Sequence, residues 1–193
     1  MKSNGDFYAL LFQMKNITRW GLMYNTRPEN LSEHSTECAI IAHALALIGN
    51  RHFNKKLDAA KILSAALFHD MNEVLTGDLP TPIKYYNDSI KDSYKEIEKI
   101  SQKKMLSLLD EETAKEYEKL LSLSPEEKRM IKGADKLCAY IKCLKETERG
   151  NREFSSALNY NKEGLKDLKM PEVDFFLENY IESFTKNIDE VSL

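Results

Sequence analysis

Glycine and proline are scarce in this 193-residue chain, at 7 and 5 residues, which argues against a turn-dense β architecture. Its three cysteines, Cys38, Cys138 and Cys143, lack zinc-knuckle spacing, and an odd count suits a reducing compartment. Each falls at an apolar helical position and reads as a small core side chain. No apolar run approaches the roughly 20 residues of a membrane span. The formal net charge of −3 offers no broad basic surface, so neither a nucleic-acid polymer nor a membrane is expected as partner. The polar opening Met1-Lys2-Ser3-Asn4-Gly5-Asp6 leads into a short amphipathic stretch without an apolar h-region or small-residue cleavage site, so the expected location is cytoplasmic. A small anionic substrate stays compatible with this balance, because a metal and one or two local cations supply charge that bulk composition hides.

What is present is helical periodicity almost throughout. Phe7, Leu10, Leu11, Met14 and Ile17 recur at three- and four-residue intervals and predict a helix ending near Thr18. A loop through 25–30 follows, then a helix with Ser32 as N-cap and an end near Gly49-Asn50. Asp58 is suited to cap a third helix that runs through Leu63, Leu67 and Val74 to Gly77. Asp78-Leu79-Pro80-Thr81-Pro82 suits no regular element and should be stiff, since each proline fixes its own φ and restricts its predecessor. A helix from Asn87 to about Leu109 is expected to present Ile90, Tyr94, Ile97, Ile100 and Met105 on its apolar face. A short helix over 111–121 comes next. Ser124 and Pro125 mark the start of another, reaching Glu148 and stopping at Gly150. Weaker helices are expected over 153–168 and 171–187. These elements predict an all-α, single-domain protein over 1–193.

On this frame the dipeptide His69-Asp70 stands out, because two metal-capable side chains follow the apolar run Ile62–Phe68. Burying both is costly without a partner, and a divalent cation suits imidazole and carboxylate together. On a continuous helix, His69 and Glu73 would lie roughly 40° apart with Asp70 on the adjoining side. His34 falls in the first turn of the second predicted helix. Asp135 lies among Ile131, Leu137, Cys138 and Ile141, where a carboxylate must be paired. Gly133, in the same helix, points to close backbone approach or local distortion. His43 points away from His34 on the same helix, and His52 is expected in solvent beyond the helix end.

The order His34, His69-Asp70, Asp135 on a helical frame resembles the HD superfamily of metal-dependent phosphohydrolases. The segments Arg19-Trp20, Glu33-His34-Ser35, His69-Asp70 with Glu73 through Pro82, and Ala134–Tyr140 resemble the bacterial 5′-deoxynucleotidases of the YfbR type. The resemblance implies an HD-type helical bundle, a divalent metal (cobalt, manganese or copper) on His34, His69, Asp70 and Asp135, and a homodimer. It implies hydrolysis of 2′-deoxyribonucleoside 5′-monophosphates to deoxynucleoside and phosphate. Glu73 would then orient the water and handle a proton. Arg19 would take the phosphate, with the ligands His34, Asp70 and Asp135 alongside. Trp20 would crowd the 2′ position, Asp78 would accept from the 3′-hydroxyl, and Leu79, Pro80 and Thr81 would complete the sugar contact. Two other readings stay open: an HD phosphohydrolase acting on a nucleoside triphosphate, cyclic nucleotide or alarmone, and a non-catalytic helical binding module.

Overall fold

The computed structural model describes residues 6–84 and 86–191; residues 1–5, at the polar start, lie outside them. Ten α-helices account for most of the described residues: α1 Asp6–Leu11, α2 Leu31–His52, α3 Ala59–Leu67, α4 Glu73–Thr76, α5 Thr81–Lys84, α6 Asp88–Leu106, α7 Glu111–Leu121, α8 Pro125–Glu148, α9 Ser155–Asp167 and α10 Pro171–Asn179. No β-strand occurs among the described residues. The all-α class therefore holds. An isolated antiparallel bridge joins Thr18 and Asn30, fastened by Leu31 N–H to Ile17 O (2.9 Å) and Arg19 N–H to Glu29 O (2.9 Å). No described helix is long and apolar enough to cross a membrane.

The chain groups into two compact units. One comprises the N-terminal residues through Leu22, Pro28–Thr36 and Leu67–Ser122; the other comprises Met23–Arg27, Glu37–Ala66 and the chain from Leu123 onward. Each is assembled from three separate stretches, so no single cut in the sequence divides them.

In the first unit, Phe7, Met71, Met105, Leu106 and Leu109 form a buried cluster, flanked by Leu10, Leu11, Phe68, Tyr117 and Leu121. Burying a side chain of this size contributes roughly 1.5–3 kcal/mol relative to exposure. The predicted first helix tightens into a 3-10 turn over Phe12–Asn16, shorter than the periodicity suggested. On α6, Tyr94 and Met105 are buried as expected, whereas Ile97 and Ile100 face solvent, and Ser101 and Leu106 are buried instead. Asn87 caps α6, and Asp110 caps α7, each through a side-chain oxygen accepting from the residue three ahead. The segment Thr81-Pro82, expected to be irregular, opens the short helix α5; proline is tolerated in a first helical turn because its missing N–H has no partner there anyway.

In the second unit, the sequence signals for α8 are met in full: Ser124 and Glu127 form a reciprocal capping box, Pro125 occupies the first turn, and Gly150 (φ 84°) follows the end. Gly133 sits in unbroken helix, so the reason for glycine is close approach and not distortion. A Cβ there would stand 3.1 Å from Val173 Cγ2, 3.2 Å from Met170 Cε and 3.3 Å from Leu45 Cδ1. The three cysteines are buried, as expected of core side chains. α2 extends to His52, beyond the expected stop; His52 is exposed, as expected, with one face of its ring stacked on Phe175 (4.4 Å between ring centroids). The Glu146 carboxylate, 1% exposed, accepts from Thr26 N–H and Oγ1, Arg27 N–H, Lys142 Nζ and Asn151 Nδ2. Burial opposes its charge, but the Lys142 ammonium, Asn151 and Thr26 hold its pKa well below the usual carboxylate range.

Candidate metal centre and active site

The cluster begins with two chain reversals that bring remote residues together in the first unit. α2 starts two residues earlier than expected, because Asn30 caps it in place of Ser32. Asn30 Oδ1 accepts from Glu33 N–H (3.0 Å), and Glu33 Oε2 accepts from Asn30 N–H (3.3 Å). His34 thereby sits in the first turn, 1% exposed, its backbone N–H bonded to Asn30 O.

The second reversal corrects the continuous helix expected from Asp58 to Gly77. Asp58 caps α3 as foreseen, accepting from Lys61 N–H at 2.9 Å, but α3 ends at Leu67 and α4 begins only at Glu73. Between them Met71 N–H bonds Phe68 O (3.2 Å) and Glu73 N–H bonds Asp70 O (2.9 Å), tight three-residue turns in place of the helical ladder. Phe68 and Met71 both pack at the apolar cluster, which outweighs helical continuity and leaves His69 and Asp70 on the turn. The helical-wheel spacing of His69, Asp70 and Glu73 therefore does not describe how they meet.

His34, His69 and Asp70 do converge. Asp70 Oδ2 lies 3.0 Å from His69 Nε2 and 3.6 Å from His34 Nε2, and the two imidazoles are tilted with centroids 5.3 Å apart. One donor atom from each falls within 4.8 Å of the others. A first-row ion with ligand bonds up to about 2.2 Å spans at most about 4.4 Å between donors, so small side-chain rotations seat it. Two imidazole nitrogens and a carboxylate oxygen are also the donor chemistry such ions take. Asp135 is half-buried on α8, in the second unit.

Arg19 flanks the cluster. Its Nε pairs with Glu29 Oε1 at 2.9 Å and its Nη1 stands 3.6 Å from Asp70 Oδ2. The same Glu29 oxygen lies 3.9 Å from His34 Nδ1. Glu29 thus faces both a cluster imidazole on its far side and the guanidinium, an arrangement that orients ligands from behind. Periodicity gave no sign of Glu29; its place beside Asn30, in the loop that returns to Thr18, was the available hint. Trp20 is half-buried with φ 61°, a left-handed backbone that a bulky residue adopts only when its surroundings compel it.

Glu73 is 5% exposed, and its Oε2 has no hydrogen-bond partner among the described residues. Burial, then the Asp70 and Asp78 carboxylates, push its pKa up to about 9, while Arg19 and Lys84 pull the other way. Asp78, Leu79 and Pro80 follow Gly77 as a half-buried irregular segment, and Thr81 is exposed at the start of α5. Lys84, also missed by sequence reasoning, pairs with Glu98 at 2.8 Å; burial opposes its charge, but Glu98 holds its pKa up at about 12.

A helical frame carrying a His-His-Asp cluster defines a metal-site protein of the HD type, and similarity to solved structures agrees in fold. An HD-domain phosphohydrolase from Listeria innocua superposes with a TM-score of 0.82 over 95% of this chain and 90% of its own, at 21% identity. The cyanophage S-2L HD phosphohydrolase DatZ, solved with dA and one catalytic Zn2+ ion, superposes with a TM-score of 0.62 over 91% of this chain and 96% of its own, also at 21% identity. The chain belongs to the YfbR-like 5′-deoxynucleotidase family, whose model matches residues 6–184. A 5′-deoxynucleotidase of Yersinia pestis is 47% identical over 190 residues, covering 97% of this chain and 96% of that protein.

Proposed function

We propose that this protein is a metal-dependent phosphomonoesterase that hydrolyses 2′-deoxyribonucleoside 5′-monophosphates to deoxynucleoside and phosphate. The observation that carries the reading is the convergence of His34 Nε2, His69 Nε2 and Asp70 Oδ2 beside Arg19 and the buried Glu73. Family membership supplies the substrate class. In this reading His34, His69, Asp70 and Asp135 hold one divalent ion, cobalt, manganese or copper by family likeness; DatZ carries zinc. When bound, such an ion acidifies water and neutralises charge on the phosphoryl group.

The chain's own groups supply the rest. Arg19, steadied by Glu29, presents a planar guanidinium to phosphate oxygens, while His34, Asp70 and Asp135 line the same end of the substrate. Glu73, in its dry site, orients the attacking water and moves a proton at Oε2. Trp20 walls off the 2′ position against a ribose hydroxyl. Asp78 accepts from the 3′-hydroxyl, with Leu79, Pro80 and Thr81 completing the sugar contact. The active form is a cytoplasmic homodimer built from one HD-type domain per chain.

The test is phosphate release by chelator-stripped protein, with and without added cobalt, manganese, copper or zinc, on paired deoxy- and ribonucleoside monophosphates. Metal-dependent hydrolysis favouring the deoxy member is expected. Equal turnover without metal, or preference for a triphosphate, cyclic nucleotide or alarmone run alongside, overturns the reading. Hydrodynamic mass in solution checks the dimer.

A further inference from the structure

The segment proposed to meet the sugar is gripped at both ends by two residues on one helix. Tyr94 and Glu98 are four residues apart on α6 and so share a face. Glu98 Oε1 accepts from Lys84 Nζ at 2.8 Å, and that ammonium stands 4.8 Å from the centroid of the Tyr94 ring. One turn earlier, the buried Tyr94 hydroxyl donates to Gly77 O at 3.4 Å and lies 3.4 Å from Thr76 Oγ1. Thr76 Oγ1 itself donates to Gly77 O at 3.0 Å. Gly77 has φ 72°, a geometry that side chains rarely adopt, so the chain turns sharply at the first grip. Lys84 closes α5 at the second.

Between the grips run Asp78, Leu79, Pro80, Thr81 and Pro82, where two fixed proline φ angles leave little internal freedom. A stiff segment held at both ends moves as one body: displacing either grip displaces every contact it makes. The Lys84 ammonium is committed to Glu98 and the Tyr94 face, which leaves phosphate to Arg19. The pair is partly exposed, 28% and 29%, so it contributes little to global stability, and its conspicuous effect is on position.

We propose that Tyr94 and Glu98, acting through Gly77 and Lys84, are positioning residues that set residues 78–81 against the deoxyribose. Neither touches substrate. The inference rests on the sugar-contact reading above and adds the device that holds it in register.

The experiment compares wild-type protein with Lys84→Met, Glu98→Gln, Tyr94→Phe and the reversed pair Lys84→Glu/Glu98→Lys. It measures kcat and KM on deoxy- and ribonucleoside monophosphates, together with Tm and cobalt affinity. Glu98→Gln should raise the deoxynucleotide KM about tenfold and lower the deoxy-to-ribo ratio, with kcat within about twofold and Tm and cobalt affinity unmoved; Lys84→Met should raise KM alike, with kcat also shifted because Lys84 pulls down the Glu73 pKa. Tyr94→Phe should do the same more weakly, since its contacts are long. The reversed pair should recover most of the loss. Unmoved KM in Lys84→Met and Glu98→Gln, no recovery in the reversed pair, or a joint fall of kcat, Tm and cobalt affinity overturns the positioning role. A wild-type protein inactive on deoxynucleotides refutes the parent reading and this one with it; active wild-type protein with unmoved variants refutes the clamp alone.

Discussion

Replacing Glu146 with alanine strips one buried carboxylate of the hydrogen bonds it accepts from Thr26, Arg27, Lys142 and Asn151. Lys142 is 9% exposed and would keep the Arg27 carbonyl, to which it donates at 2.6 Å, and the face of the Phe154 ring at 5.5 Å, but no counter-charge from Glu146. Breaking a buried pair by removing one partner costs about 3–5 kcal/mol, because the remaining charge is left uncompensated. At this chain length each kcal/mol moves Tm by roughly 2–4 °C, so Glu146→Ala should melt roughly 6–20 °C below wild type. Lys142→Met/Glu146→Gln, which removes both charges and keeps an amide oxygen for the Thr26 and Asn151 donors, should be milder than the single change. The pH dependence has a definite sign. Burial raises the Glu146 pKa, but Lys142, Asn151 and Thr26 depress it in the folded state well below the unfolded value of about 4.3. Its stabilisation is therefore fully present above the unfolded pKa and drains away as pH falls toward the folded one. Melting by circular dichroism from pH 7 down to pH 3 should show a shallower acid decline in Glu146→Gln than in wild type. A Tm shift under 2 °C for Glu146→Ala, or identical acid limbs, would refute the account of this network.

Glu73→Ala should retain fold and metal uptake while losing turnover by at least about a hundredfold, as expected for removal of a proton-handling group; near-normal phosphate release would remove Glu73 from the chemistry. Trp20→Ala should bring ribonucleotide kcat/KM closer to that for deoxynucleotides, and an unchanged ratio rejects the steric wall. Trp20→Gly should melt above Trp20→Ala, because glycine adopts φ near 61° without a Cβ penalty. Gly133→Ala drives a methyl against Val173, Met170 and Leu45; overpacking of about 1–3 kcal/mol should exceed the helix-propensity gain of about 1 kcal/mol, and a raised Tm would show that these neighbours yield freely.

Local signals were readable where backbone chemistry alone decides them. Ser124-Pro125, Asp58 and the glycine after α8 each act through partners within a few residues, so a linear reading captures them. Asn30 was missed as a cap because Ser32 offers the same chemistry two residues on, and the choice depended on the bridge between Thr18 and Asn30. Ile97 and Ile100 kept a helical period yet face solvent, since periodicity names a stripe without saying what covers it.

From sequence alone came the helical class, the identity of the metal-capable residues, and the family they resemble, because residue type and spacing are written in one dimension. Tertiary structure alone decided that the helix breaks before His69, that Glu29 stands behind both Arg19 and His34, and that α6 grips the segment after Gly77. Each of those depends on side chains distant in sequence competing for the same apolar cluster or the same charge, and such competition is settled only when the chain is packed.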